Sequence, residues 1–148
     1  MVPRDLIDAF AAAKALSDRH SAILEQAVLS EFIAAGHFNR HIRRMRVLYQ
    51  RRQQTLVNAA KKLDGALAIR PSDAGMHVIG WLAKGVDDQN VSRCAEERGL
   101  TIPPLSIYSL RHRQPPGLVL GYAAFSEQEL QTGIMQLAEL LAEQPGQM

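Results

Sequence analysis

The residues of this chain that could do chemistry are four lysines, five histidines, one cysteine and a dense run of arginines. Lys14, Lys61 and Lys62 fall on helix-like surfaces, and Lys84 falls on a strand-to-helix turn. All four read as solvated cations. His37 and His41 are four apart, the spacing that places two metal ligands on one helix face. Their neighbours are cationic and no carboxylate or third ligand lies near in sequence, which argues against a bound metal. Nothing comparable surrounds His20 or His112. Cys94, beside Ala95 on a helix-like stretch, reads as a small core residue. As the single cysteine it permits neither an intramolecular disulfide nor a cysteine metal cluster. There is no P-loop and no G-x-G-x-x-G, and no Ser-His-Asp set stands out.

The densest chemistry lies in GHFNRHIRRMRVLYQRR, from Gly36 to Arg52. It carries Arg40, Arg43, Arg44, Arg46, Arg51 and Arg52, and no Asp or Glu occurs between Phe32 and Leu63. Such a run is a solvated face, a surface that neutralises phosphates, or a surface that meets acidic protein elsewhere. Phe38 and Tyr49 are the only aromatics interleaved with it, and no recognition-helix motif accompanies it. The net charge of +2 conceals this asymmetry: eight of the 17 Lys and Arg residues lie between Phe32 and Leu63.

The elements that must position these residues can be read from periodicity. At 148 residues the chain is one domain or a piece of one. Its 47% hydrophobic and 22% charged content is that of a globular protein, and with 5% aromatics the core must be mostly aliphatic. No apolar run approaches the roughly 18 residues of a membrane span, and no signal peptide is visible. The lone cysteine fits a reducing compartment, so the expected location is cytoplasmic.

Pro3 suits the first turn of a helix, which continues through Leu6, Ile7, Phe10, Ala13 and Leu16. A break at Asp18 to His20 is followed by Ser21 as an N-cap. The helix beyond carries Ile23, Leu24, Ala27, Val28, Leu29, Phe32, Ile33 and Ala35. It is apolar on most faces, which predicts burial on more than one side, and Gly36 stops it. The basic helix is expected over Asn39 to Leu63, with Ile42, Met45, Tyr49, Leu56, Ala59 and Leu63 as its apolar stripe.

The period then changes. Strands are expected at Ala66 to Arg70 and Met76 to Ala83, separated by the turn residues Pro71 to Gly75. Asp87 or Asp88 caps a helix ending at Gly99. A brief strand at Leu100 to Ile102 stops at Pro103-Pro104. Another strand runs from Gly117 to Ala123. Ser126 and Glu129 form a capping box for a last helix through Leu130, Ile134, Leu137 and Leu141. The expected class is α+β: residues 1–64 as long interdomain helices, and residues 65–148 as a small α/β subdomain. In the second part a mixed or antiparallel sheet in the order ββαββα carries helices on one face.

The run GHFNRHIRRMRVLYQRR, with DAGMHVIGWL, GLTIPPLSIY and PPGLVLGYAAFSEQEL, resembles the C-terminal part of MocR-type transcriptional regulators of the GntR family. The resemblance extends from about Val2 to Leu141. Those proteins join a winged helix-turn-helix domain to a domain shaped like a fold-type-I aminotransferase. The resemblance implies that this chain is the small domain with its interdomain helices. The DNA-binding domain and the large aminotransferase-like domain would lie upstream, so DNA would be contacted only through a missing domain. A homodimer is also implied, and the basic helix would face acidic partners in the missing parts or the second subunit.

In the family, the lysine that binds pyridoxal phosphate lies shortly before the segment matching Met1-Val2-Pro3. No lysine precedes Pro3 here, so no cofactor is expected in this chain alone, although the full-length protein could hold pyridoxal phosphate. His77, Ser106 and Tyr108 are implied cleft residues because the matching segments line the cleft in relatives. His41 and Arg44 are added, with a structural role as their alternative. A strand arginine that grips a substrate carboxylate in aminotransferases is matched here by Val119, which cannot form the guanidinium fork. The implied role is effector-cleft formation and dimer contact without catalysis. The rival readings are the small domain of a pyridoxal-phosphate aminotransferase and a free-standing nucleic-acid-binding module. The apolar helix from Ile23 to Ala35 further predicts that the isolated chain self-associates.

Overall fold

The computed structural model describes residues 2–18, 22–63, 65–109, 111 and 114–143. Contacts group the chain into two compact units, Met1–Arg44 and Met45–Met148. This division falls inside the long helix rather than at residue 64, because Leu56, Val57 and Ala60 are buried with the sheet and belong to the second unit.

In the first unit a short 3-10 turn, Arg4–Leu6, leads from Pro3 into helix α1 (Ile7–Asp18). Helix α2 covers Ile23–Ala34. The expected cap Ser21 and most of the expected break lie outside the described residues. Gly36, at φ 76°, takes the left-handed turn that ends α2, and its N–H donates to the Ile33 carbonyl at 3.0 Å. Its own carbonyl accepts from the Arg40 N–H at 3.1 Å. One glycine therefore closes α2 and opens the basic helix α3 (His37–Ala60), which starts two residues before the expected Asn39. Past Ala60 the helix tightens into a 3-10 turn, Lys61–Leu63.

The expectation that α2 is buried on several sides is corrected. None of its residues is buried, and Ile23 and Leu24 are about three-quarters exposed. A helix apolar all round has no polar face to turn outward, so it needs covering surfaces on several sides. Its own unit does not provide them.

The second unit contains a three-stranded antiparallel sheet in the order β1-β2-β3. Its strands are β1 (Leu67–Ile69), β2 (His77–Leu82) and β3 (Gly117–Gly121), each shorter than expected. Helices α4 (Asp88–Glu97) and α5 (Glu127–Glu143) complete the unit. Alternation sets the inner face. Val78 pairs with Leu120, Gly80 with Leu118 and Leu82 with Leu67. The apolar side chains among them join Leu56, Ala60, Val91, Ala95, Leu130, Ile134, Leu137 and Leu140 in the core. Gly80 is glycine because a Cβ there would lie 2.8 Å from Leu67 Cδ1 and 2.9 Å from Leu120 Cδ1.

The expected strand Leu100–Ile102 does not form, so the order after α3 is ββαβα. Pro104 makes an isolated bridge to Leu118, and the Val119 N–H donates to the Pro103 carbonyl at 2.8 Å. Neither proline has an N–H to extend the ladder. Among the described residues, no helix is long and apolar enough to cross a membrane.

Candidate functional site

Where the segment 100–103 leaves β3, a cleft of about 710 Å³ opens in the second unit. Leu100 to Pro103 line one side, Val119 to Gly121 the strand side, and Phe125 with the inner face of α5 the rest. His77 at the start of β2 and Tyr108 line the same space. Two residues 31 apart in sequence thus share one cavity through the order of sheet and loop (108 − 77 = 31). The lining is mainly aliphatic.

Tyr108 ends a 3-10 turn, Leu105–Tyr108, and its ring is largely exposed. Asp88 anchors that turn, and sequence reasoning had treated it only as a possible helix cap. The cap is Asp87, whose carboxylate accepts from the Gln89 and Asn90 N–H groups at 3.0 and 3.3 Å. Asp88 is buried instead. One oxygen accepts from the Ser106 N–H at 3.0 Å and the Gly117 N–H at 3.2 Å, and the other accepts from the Ser106 hydroxyl at 2.7 Å. These bonds satisfy a carboxylate that would otherwise be costly to bury. The sequence signal was the Asp87-Asp88 doublet, since a helix start needs only one capping acid.

The candidate residues therefore divide. His77 and Tyr108 line the cleft, whereas the Ser106 hydroxyl is held by Asp88 and by the Gln89 side chain at 3.2 Å. His41 and Arg44 are exposed on α3 and belong to the first unit. In that unit His37 stacks on Phe32 with ring centroids 5.6 Å apart. His20 and His112 lie outside the described residues. Among the described residues, no three His, Cys, Asp or Glu side chains gather as metal ligands.

Val119, on edge strand β3, pairs with Ile79 of β2 and lines the cleft. Among the described residues, no lysine or arginine lines it. The charged carboxylate in the lining is Glu129. Its Oε2 accepts from the Ser126 N–H at 2.7 Å, while the Ser126 hydroxyl accepts from the Glu129 N–H at 3.3 Å. This is the capping box expected from sequence. The bonds from Ser126, and more weakly the charge of Arg52, hold the Glu129 carboxyl below its ordinary pKa.

The C-terminal part of α3 braces the segment between β3 and α5. Arg52 donates to the Ala123 carbonyl, and Arg51 pairs with Glu127 at 2.9 Å. The Thr55 hydroxyl also donates to Glu127, at 3.2 Å. Gln53 donates to the Tyr122 hydroxyl and to the Ser72 carbonyl, and Tyr122 donates to the Gly75 carbonyl at 2.8 Å. Two arginines of the basic run are thereby used within the second unit. Arg40, Arg43, Arg44 and Arg46 are exposed and make no ion pair among the described residues.

The resemblance brings pyridoxal phosphate into question, and the cleft can be tested for it. An imine needs an amine and the phosphate needs cations or a backbone cradle. Among the described residues the lining supplies neither lysine nor arginine, and Lys14, Lys61, Lys62 and Lys84 are all exposed and absent from it. The residues of this chain do not fit the coenzyme by themselves.

No family model matches the chain. It is 33% identical over 138 residues to the probable rhizopine catabolism regulatory protein MocR of Rhizobium meliloti, covering 93% of this chain and 28% of that protein. It is 25% identical over 138 residues to the uncharacterised HTH-type transcriptional regulator YhdI of Bacillus subtilis, covering 93% of this chain and 29% of that protein. Among solved structures, kynurenine aminotransferase of Pyrococcus horikoshii superposes with a TM-score of 0.81 at 20% identity, covering 95% of this chain and 35% of that one. The chain thus spans less than a third of the two regulators' length.

Proposed function

We propose, for a chain that is homologous to MocR-type regulators of the GntR family and has the fold of part of a fold-type-I aminotransferase, that it is the small lobe of a ligand-responsive transcription regulator. It contributes one side of an effector cleft and does not catalyse a reaction alone. The observation that carries this reading is the cleft itself, which gathers His77, Tyr108 and Val119 and, among the described residues, holds no lysine or arginine. A preformed apolar cleft suits binding. Amine-dependent chemistry would need a lysine from another part of the longer protein, and so would any use of pyridoxal phosphate.

A ligand that binds better in one arrangement of the lobes shifts the population toward it. In this reading that shift is relayed to a DNA-binding domain outside this chain, and homodimer contacts carry it between subunits. Arg40, Arg43, Arg44 and Arg46, which make no ion pair among the described residues, are available to acidic surfaces in those other parts.

The experiment uses the longer protein that contains this chain. Operator binding is measured with and without small-molecule effectors, in the wild type and in Tyr108→Ala and His77→Ala. The reading expects a ligand-dependent change in operator affinity that both substitutions blunt. Transaminase turnover with no ligand effect on DNA binding would assign the chain to an enzyme instead.

A further inference from the structure

We infer that the cleft takes an amine carried on an apolar body rather than a compound with a free carboxylate. This rests on the reading of the cleft as a ligand site and specifies the ligand's chemical class.

Among the described residues, the lining lacks any lysine or arginine. A carboxylate moved from water into an apolar cleft needs a cation or several donors to replace its hydration. The favourable arrangement is a bidentate guanidinium, and strand β3 places Val119 in the lining. Leu100, Ile102 and Phe125 cover much of the remaining wall with carbon. Such surfaces attract the hydrocarbon part of a ligand and repel an unpaired anion.

The lining also has a charge of its own. Glu129 borders the cleft, and its Oε2 is engaged by Ser126, whereas Oε1 has no partner among the described residues. One acceptor is therefore left for an incoming donor. The Ser126 bonds keep the group ionised to lower pH than an ordinary glutamate. Arg52 reaches Glu129 with its charge, but its guanidinium donates to the Ala123 carbonyl and does not line the cleft. His77, Thr101 and Tyr108 supply the other polar side chains. The geometry suits an ammonium at the Glu129 edge and its apolar body along Ile102 and Val119.

Two probes with nearly the same body and opposite charge test this: phenethylamine and hydrocinnamate. Each is titrated into the chain while backbone amide shifts are followed by NMR. The inference expects saturable shifts at His77, Thr101, Gly121 and Gly133 with the amine, and affinity for the acid at least fivefold weaker. Glu129→Gln preserves the capping box, since glutamine serves there as well, so it separates charge from folding. It should weaken the amine by about two- to fivefold, the range of a largely exposed ion pair. Val119→Arg should raise affinity for the acid. Equal or tighter binding of the acid by the wild type would overturn the inference and leave the cleft reading intact. Unchanged amine affinity in Glu129→Gln would also overturn it. If neither probe binds, the inference falls, while the ligand-cleft reading stands or falls on operator binding by the longer protein.

Discussion

In Met45–Met148, Leu137 is fully buried and sits among sheet and helix side chains, whereas in Met1–Arg44 the equally apolar Leu24 remains 74% exposed. Both leucines lie on helices, and both belong to runs that read as apolar from sequence. The difference lies in what each helix faces. Helix α5 has one apolar stripe, formed by Leu130, Ile134, Leu137 and Leu140, and a sheet face to cover it. Helix α2 is apolar around its circumference and has no buried residue. Helical pattern is a local property, while burial requires a second surface.

The comparison can be broken by substitution. The largest effect is expected from Leu137→Ala, which should cost about 2–5 kcal/mol through lost transfer energy and an unfilled cavity. Leu24→Ala should stay within about 0.5 kcal/mol. Urea denaturation of the two variants measures the contrast, and a similar loss for both would remove it. Gly80→Ala comes next. Its new methyl would press on Leu67 and Leu120 and should cost about 1–3 kcal/mol by the same measurement.

Tyr122→Phe is smaller. It removes the hydroxyl that joins Gln53 to Gly75 and should cost about 0.5–1.5 kcal/mol. A full recovery of stability in that variant would show that the brace from α3 is not energetic.

The smallest effect concerns the capping box and depends on pH. Glu129 has a lowered folded-state pKa, so its contribution is fully present above the ordinary glutamate pKa and fades as pH falls through the folded value. The stability gap between wild type and Ser126→Ala should therefore narrow in acid. A gap that widens in acid would contradict the assigned bonds.

The exposed side of the comparison can be sharpened by light scattering. The apolar surface of α2 predicts concentration-dependent self-association of the chain. Replacing Leu24 and Val28 with lysine should reduce it, and a wild-type chain that stays monomeric at all concentrations would count against it.

Much of the second unit was legible because its signals are local. The short apolar run HVIGWL, apolar on both faces, identified a central strand, the Ser126–Glu129 spacing identified a helix start, and Gly36 marked a boundary. The signals that failed were non-local. Leu100–Ile102 has strand-like composition, but whether it pairs depends on Pro103 and Pro104 meeting β3. Asp88 resembled a second cap until folding brought Ser106 and Gly117 to it. Sequence placed Ser106 with His77 and Tyr108 by resemblance, while the fold commits its hydroxyl to Asp88. The grouping of His77, Tyr108 and Glu129 around one cleft depends on three separate elements and has no local pattern.

This lobe offers a cleft to which, among the described residues, no lysine contributes. Adding pyridoxal phosphate to the purified chain, reducing with borohydride and mapping the peptides by mass spectrometry tests it directly. The account predicts only sparse, non-saturating labelling spread over the exposed lysines. A saturable, one-to-one adduct on a single lysine would contradict it.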